Sequence, residues 1–85
     1  MTPYAAFYAE DFEEALFKLD RNKRLLLLKR IEKILETPTL GKPLHAPLHG
    51  FRAERFENMR IVYSVNEATR TVTLVLLDYR KSVYR

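Results

Sequence analysis

The last third of the chain, residues 51–85, carries the pattern that most limits what this sequence can fold into. Apolar and β-branched residues alternate with polar ones through three runs, FRAERF, MRIVYSV and TVTLVLLDY, and short polar breaks separate these runs at residues 57–58 and 66–69. Alternation with a period of two is typical of strands that bury one face. The spacing therefore predicts three consecutive antiparallel strands, a β-meander.

The first polar break leaves room for a two-residue hairpin loop at residues 57–58, in which Asn58 would take the positive φ that such turns require. This loop sets Arg55 directly opposite Arg60. Two like charges in that position cost roughly 0.2–1 kcal/mol of stability. A site that binds an anion would account for the placement, and the alternative is a pair of ordinary solvated strand arginines.

Ahead of the meander, the apolar spacing changes to that of two amphipathic helices. The first stripe comprises Phe12, Ala15, Leu16 and Leu19, and the second comprises Leu27, Leu28, Ile31, Ile34 and Leu35. Asp20 or Asn22 can cap the second helix, and Pro38 predicts that this helix ends at Glu36 or Thr37. Because the connecting turn is short, we expect an antiparallel helical hairpin over one face of the sheet.

The aromatic segment PYAAFY, residues 3–8, predicts one more strand beside the meander. The element order is then β-α-α-β-β-β. This order predicts an α+β fold in which an N-terminal helical hairpin packs on a small, mostly antiparallel sheet and leaves a concave, basic face opposite. With 85 residues there is room for one core, so we expect a single domain over residues 1–85.

The composition of the chain limits the cellular compartment and the class of partner that we expect. The chain has no cysteine, which excludes disulfides and thiolate metal sites. Its apolar runs are too short to span a bilayer and no signal-peptide pattern opens it, so we expect a cytoplasmic protein with no membrane partner. Fifteen Lys and Arg against eleven Asp and Glu give a net charge of +4, which favours a polyanionic partner. The excess of positive charge is concentrated in residues 70–85.

Residues 39–50, TLGKPLHAPLHG, contain two prolines and two glycines and are therefore predicted to form a loop. His45 and His49 lie four residues apart outside a helix, and no clear third ligand accompanies them, so the pattern does not predict a metal site. We expect exposed loop histidines close to phosphate, and no cofactor. The chain also lacks a phosphate-binding P-loop and a glycine-rich dinucleotide fingerprint.

Three segments follow one another with a characteristic spacing: GKPLHAPLHGF at 41–51, R-F-x-N-x-R-I-V-Y at 55–63 and Y-R-K-S-V-Y-R at 79–85. In their order, spacing and total length they resemble the RelE/ParE toxins of prokaryotic toxin–antitoxin modules. Many of these toxins are ribosome-dependent mRNA endonucleases. The resemblance implies a toxin that cuts mRNA on the ribosome, inhibits translation and is neutralised by a cognate antitoxin. A heterotetramer with that antitoxin is one assembly it allows.

The resemblance also implies roles for individual residues. Arg55 and Arg60 would bind and stabilise the scissile phosphate, Arg80 would assist as acid or phosphate ligand, and Tyr84 would act as base. Because a free tyrosine has a pKa near 10, Tyr84 would need neighbouring cations to lower it. Further residues expected to contact RNA are Lys42, His49, Arg52, Tyr79, Lys81 and Arg85.

Three positions depart from the pattern of active members of the family. Ala53 stands where many have a basic residue, and Tyr79 stands where many have histidine. Glu54 occupies a core-facing position, so we expect it to pair with a helix Lys or Arg or to lie at the sheet edge. These departures leave two alternatives open: a ParE-type toxin that inhibits DNA gyrase by binding, and a catalytically weakened RNA-binding member.

Leu25 and Leu26 lie outside the apolar stripe of the second predicted helix. They either pack peripherally against the first helix or form an apolar strip for a partner. The partner would be an antitoxin helix or a second copy of this chain.

Overall fold

The computed structural model describes residues 3–79. Its elements are β1 (Ala5–Tyr8), α1 (Glu10–Lys18), α2 (Arg21–Glu36), a 3₁₀ turn (Pro38–Leu40), β2 (Lys42–Pro43), β3 (Arg52–Phe56), β4 (Met59–Asn66) and β5 (Thr71–Tyr79). The strand order in the sheet is β1-β5-β4-β3-β2. Strand β1 runs parallel to β5, and the other neighbours pair antiparallel. The predicted α+β fold, with a helical hairpin on a mostly antiparallel sheet, is confirmed.

Two helices cover one face of the sheet, which we call the inner face; the opposite face is the outer face. The Asp20 carboxylate accepts a hydrogen bond from the backbone N–H of Lys23 at 2.8 Å, which decides between the two predicted caps of α2. The helix ends at Glu36, as Pro38 predicts. Within residues 3–79, no helix is long and apolar enough to cross a membrane.

The inner face and both helix stripes meet in one apolar core. Its buried members are Phe12, Leu16, Leu19, Leu27, Ile31, Ile34, Phe56, Met59, Ile61, Tyr63, Val72, Leu74 and Leu77. The Tyr63 hydroxyl is a polar group within this core, and it donates to the Pro38 carbonyl at 2.7 Å and accepts from the Gly41 N–H at 2.9 Å. Burial raises the pKa of Tyr63 above its ordinary value.

Tyr63 also explains why residues 38–43 are more regular than the predicted loop. A Cβ atom at Gly41 would lie 2.7 Å from the Tyr63 hydroxyl and 2.8 Å from the Ala53 carbonyl oxygen. Glycine therefore allows the chain to approach β3, and Lys42 pairs with Ala53 in β2. The prediction of an unbroken loop over residues 39–50 was wrong at this point. A proline at the second position of β2 is tolerated because β2 is an edge strand.

The β3–β4 hairpin has the predicted register, with Phe56 opposite Met59 and Arg55 opposite Arg60. Positive φ occurs at Glu57 (56°), so the prediction of positive φ at Asn58 was wrong. Positive φ at the first loop position is the pattern of a type II′ turn, which leaves the second position in ordinary backbone space. The Glu57 carboxylate also lies 3.2 Å from the Lys23 ammonium, which links the turn to α2.

A register shift between β4 and β5 changes which side chains share a face. Tyr63 pairs with Leu74, but the preceding residue, Val62, pairs with Leu76, so Val75 is the extra residue of a β-bulge. Continued without the bulge, the pairing would set Leu77 opposite Arg60. With the bulge, Asp78 lies opposite Arg60 on the outer face.

Glu54 lies on β3 opposite the buried Ile61, and its carboxylate is bound from α2. The Arg30 guanidinium donates from Nη1 to Glu54 Oε2 at 2.9 Å and to the Arg55 carbonyl oxygen at 2.9 Å. The predicted pairing of Glu54 with a helix Lys or Arg is confirmed. The same arginine ties α2 to the strand that carries Arg55.

Candidate functional site

A groove of about 420 Å³ opens where β2, β3 and β4 lie side by side. We call it the basic groove, and its lining residues are Leu40, Lys42, Leu44, Ala53, Glu54, Arg55 and Arg60. The strand register puts the three cations together, because Lys42 pairs with Ala53 and Arg55 pairs with Arg60 on the same side of the sheet. The hairpin therefore brings together the two arginines that the sequence singled out, and β2 adds the lysine.

The cations that line this groove differ in whether a carboxylate pairs with them. Arg60 forms an ion pair with Asp78, and Glu54 is bound by Arg30 from outside the cation cluster. In the part of the chain that the structure describes, no ion pair holds Lys42 or Arg55. The groove therefore offers two cations without a carboxylate partner in that part of the chain, beside a third that is tethered. An incoming anion is the ligand that such a cluster attracts.

Asp78 fixes the orientation of Arg60. The guanidinium donates from Nη2 at 2.8 Å and from Nε at 3.2 Å, and both bonds end on Asp78 Oδ2. Two of the five N–H groups of an arginine are thus engaged, and three remain. Both side chains are only about a quarter exposed, so salt screens this pair less than it screens a fully exposed ion pair.

The other residues of the described range that are predicted to contact RNA lie in two separate places, a second groove and the inner-face side of β5. His49 and Arg52 line a neighbouring groove of about 230 Å³, which shares Leu44 with the basic groove. Arg52 also donates to the Gly41 carbonyl oxygen at 2.7 Å, so part of its donor capacity serves the fold. Tyr79 pairs with Met59, which places it on the inner-face side of β5 rather than beside Arg60.

Arg80, Lys81, Tyr84 and Arg85 lie outside the described residues, so their predicted roles stay predictions. Asp78 lies two residues before Arg80 in the sequence. The sequence analysis missed Asp78. The sequence does show an acidic residue at the end of the predicted last strand, in the LLDY run. Placing Asp78 opposite Arg60, however, required knowledge of the bulge at Val75.

The outer face is not uniformly basic, which corrects the predicted concave basic surface. Beside the Arg60–Asp78 pair lies a cavity of about 130 Å³, which we call the outer niche. Its apolar lining comprises Leu48, Phe51, Val62, Val75 and Leu76, and Arg60 and Asp78 complete it. Part of the loop between β2 and β3 therefore covers the outer face with apolar side chains.

The predicted partner residues lie on α2, away from these grooves. Leu25 is 48% exposed and Leu26 is 53% exposed, so packing against α1 covers neither of them fully. Phe17 on α1 is also largely exposed, and the Arg24 guanidinium lies 5.9 Å from its ring centre. The helical layer thus presents several exposed apolar side chains.

Comparison with known proteins places this architecture among toxins. No family model matches the chain. A Methanocaldococcus jannaschii protein that carries the name toxin RelE4 is 30% identical over 73 residues, which span 85% of this chain and 78% of that protein. An uncharacterised Methanosarcina mazei protein is 32% identical over 72 residues, 84% of each chain. The toxin–antitoxin complex RelBE2 of Mycobacterium tuberculosis contains a chain with the same fold, with a TM-score of 0.85, 24% identity and 94% of each chain covered.

Proposed function

The chain belongs to the RelE/ParE toxin superfamily, and from this premise we propose that it is a RelE-type toxin that cleaves mRNA on the ribosome. The observation that carries the proposal is the direct opposition of Arg55 and Arg60 in a groove that also contains Lys42. Opposed like charges destabilise a sheet, so their presence is best explained by an anion that binds between them. The scissile phosphate of RNA is an anion of the kind that guanidinium groups bind with paired hydrogen bonds.

The proposed cleavage needs no metal ion. A base removes the proton of the 2′-hydroxyl, the 2′-oxygen attacks the adjacent phosphorus, and the bond from phosphorus to the 5′-oxygen breaks as an acid protonates that oxygen. Negative charge grows on the phosphorane oxygens during this step. Arg55 and Arg60 would stabilise it, because guanidinium groups stay protonated at every relevant pH and donate two parallel hydrogen bonds to phosphate oxygens.

The remaining roles fall to the C-terminal residues and the groove rim. Tyr84 is proposed as the base and Arg80 as the acid or a further phosphate ligand. Lys42 would hold a neighbouring phosphate, and His49 and Arg52 would hold the RNA strand further along. Tyr79, Lys81 and Arg85 complete the proposed RNA-binding set.

Induced expression in a bacterium tests the proposal. Wild type should stop the incorporation of labelled amino acids within minutes, and 5′-end mapping should show new breaks within translated mRNA. Arg55→Ala, Arg60→Ala and Tyr84→Phe should each abolish both effects while the purified variants remain folded. Arg21→Ala is the matched control, because Arg21 is an exposed arginine at the start of α2, outside the basic groove. A fully toxic Arg60→Ala would remove that residue from the mechanism.

The same experiment separates the proposed RNase from a gyrase-inhibiting toxin and from an inactive RNA-binding protein. A gyrase inhibitor would stop thymidine incorporation before amino-acid incorporation and would leave mRNA intact. A protein that binds RNA without cutting it would show no breaks, and Arg60→Ala would lower its affinity and the dependence of that affinity on salt. Either result would contradict the proposed activity.

We further propose that a cognate antitoxin neutralises the toxin and that Leu25 and Leu26 form part of its docking surface. Both side chains are about half exposed on α2, beside hydrophilic residues at the start of the helix. A Leu25→Ser/Leu26→Ser double variant should stay toxic and escape neutralisation by the co-expressed antitoxin. Full neutralisation of this variant would show that the strip is not required for binding.

A further inference from the structure

The outer niche adjoins the basic groove through a single shared side chain. Arg60 lines both cavities, and its partner Asp78 lines the niche. A phosphate bound by Arg60 in the groove would therefore have the niche directly beside it. The group attached to that phosphate through the sugar is a nucleobase, so the base of the same nucleotide or of its neighbour is the part of RNA that can reach the niche.

The lining of the niche suits an aromatic ring. Phe51 supplies an aromatic side chain, and Leu48, Val75 and Leu76 supply apolar surface around it. Its volume of about 130 Å³ has room for one planar ring system. Proteins that read single-stranded RNA commonly hold unstacked bases against aromatic side chains and contact the base edge with polar atoms.

Asp78 supplies a polar contact of this kind. Both hydrogen bonds from Arg60 end on Oδ2, and Oδ1 accepts neither of them. A carboxylate oxygen accepts hydrogen bonds and cannot donate them. At the rim of an apolar cavity it would accept from an exocyclic amino group, as carboxylates do with the N4 amino group of cytosine, and would repel a carbonyl oxygen at the same position.

We propose that the outer niche is a nucleobase subsite that prefers a base with an exocyclic amino group and disfavours uracil. The proposal rests on the proposed RNase function and adds a sequence preference to it. Phe51 provides the stacking surface, Asp78 Oδ1 reads the amino group, and Arg60 holds the phosphate beside it. Asp78 thereby has two tasks, since Oδ2 orients Arg60 and Oδ1 selects the base.

Cleavage-site mapping tests the subsite through preference rather than rate. Wild-type toxin is induced in a bacterium, and the nucleotides on both sides of each break are counted against their frequency in the same mRNAs. At one of these positions, bases with an amino group should exceed uracil by roughly three- to tenfold, the effect of one net hydrogen bond. Asp78→Asn, which presents a donor as well as an acceptor, should bring this ratio close to one.

Phe51→Ala tests the stacking surface. It should lower cleavage about tenfold or more at all sites, as expected when base stacking is lost. Phe7→Ala is the matched control, because Phe7 is an exposed aromatic residue on β1, opposite Thr73 and outside the niche. Circular dichroism and thermal melts of each purified variant show whether it folds, and an unfolded Phe51→Ala is replaced by Phe51→Leu, which retains apolar volume without the aromatic face.

The outcomes separate this inference from the function on which it rests. If wild type cleaves no RNA, the proposed function fails. If wild type cleaves RNA with no preference between uracil and the amino-bearing bases, or if Asp78→Asn keeps the wild-type preference, the subsite is overturned while the RNase stands. If Phe51→Ala cleaves normally but escapes neutralisation by the antitoxin, the niche receives a protein side chain, and the nucleobase assignment is again overturned.

Discussion

The two faces of the central sheet differ in the physical reason for the residues that they carry. On the inner face, side chains such as Ile61 and Leu74 are fully buried against the helices, and close packing accounts for their presence. On the outer face, Arg55 and Arg60 are set opposite each other, and no packing requirement accounts for them. Residues that packing explains therefore alternate along the same strands with residues that packing does not explain.

The difference also separates two uses of arginine. Arg30 and Arg52 donate to backbone carbonyl oxygens, so they tie the helix and the β2 segment to β3. Arg60 donates to a carboxylate and keeps other N–H groups for a ligand. Charge alone does not distinguish these uses in a basic protein. A hydrogen bond to a backbone carbonyl oxygen does, because Arg30 and Arg52 each make one and, among the described residues, Arg60 makes none.

The largest effect should come from removing an inner-face side chain. Ile61→Ala deletes fully buried apolar atoms, and such changes lower the free energy of unfolding by about 2–5 kcal/mol. Ser64→Ala, on the outer-face side of the same strand, should change it by no more than about 0.5 kcal/mol. Urea denaturation measures both values, with Ile61→Val as the milder variant if Ile61→Ala does not fold. Equal losses for Ile61 and Ser64 would contradict the distinction between the faces.

A smaller loss should follow removal of the hydroxyl group from the inner face. Tyr63→Phe leaves the Pro38 carbonyl and the Gly41 N–H without their partner, which should cost about 1–3 kcal/mol in the free energy of unfolding. Tyr8→Phe is a matched control, because Tyr8 borders the same core. A Tyr63→Phe variant as stable as wild type would show that these two bonds contribute nothing net.

The same hydroxyl predicts a dependence of stability on pH. Burial raises the pKa of Tyr63 above its ordinary value near 10, so the unfolded chain loses this proton before the folded chain does. The stability that the neutral phenol contributes is complete below about pH 10 and is lost as the pH rises through the higher folded pKa. Denaturation curves at several alkaline pH values should therefore show a shallower decline for Tyr63→Phe than for wild type.

On the outer face, the Arg60–Asp78 pair should contribute modestly. Asp78→Ala should lower the free energy of unfolding by about 1 kcal/mol or less, since both side chains keep contact with water. Thermal melts at low and high salt should show that the difference from wild type shrinks as salt screens the pair. A loss comparable to that of Ile61→Ala would mean that the pair belongs to the stabilising part of the fold.

The smallest effect should have the opposite sign. Arg55→Thr removes one of two opposed like charges and introduces a residue that favours strands, so stability should rise by roughly 0.2–1 kcal/mol. Under the proposed function, this stabilised variant should be non-toxic. Chemical denaturation and a growth assay on the same variant check both statements, and a destabilised Arg55→Thr would show that Arg55 supports the fold instead of opposing it.

Much of the inner face was predictable because burial leaves a period in the sequence. The stripes on α1 and α2, the alternation of the last three strands and the pairing of Glu54 with a helix arginine all follow from that period. The opposition of Arg55 and Arg60 was predictable because a two-residue loop fixes the register of a hairpin. The backbone conformation of the turn was not predicted correctly, because Glu57 rather than Asn58 takes the positive φ.

By itself, the sequence determined which residues are buried, how the helical hairpin covers the sheet and which two arginines meet. Only the tertiary structure decided which other groups lie beside those arginines. The bulge at Val75 shifts β5 by one residue, and this shift turns Asp78 to the outer face beside Arg60 and the outer niche. A one-residue shift reverses the facing of every later side chain in a strand, and no local pattern of apolar residues records where that shift occurs.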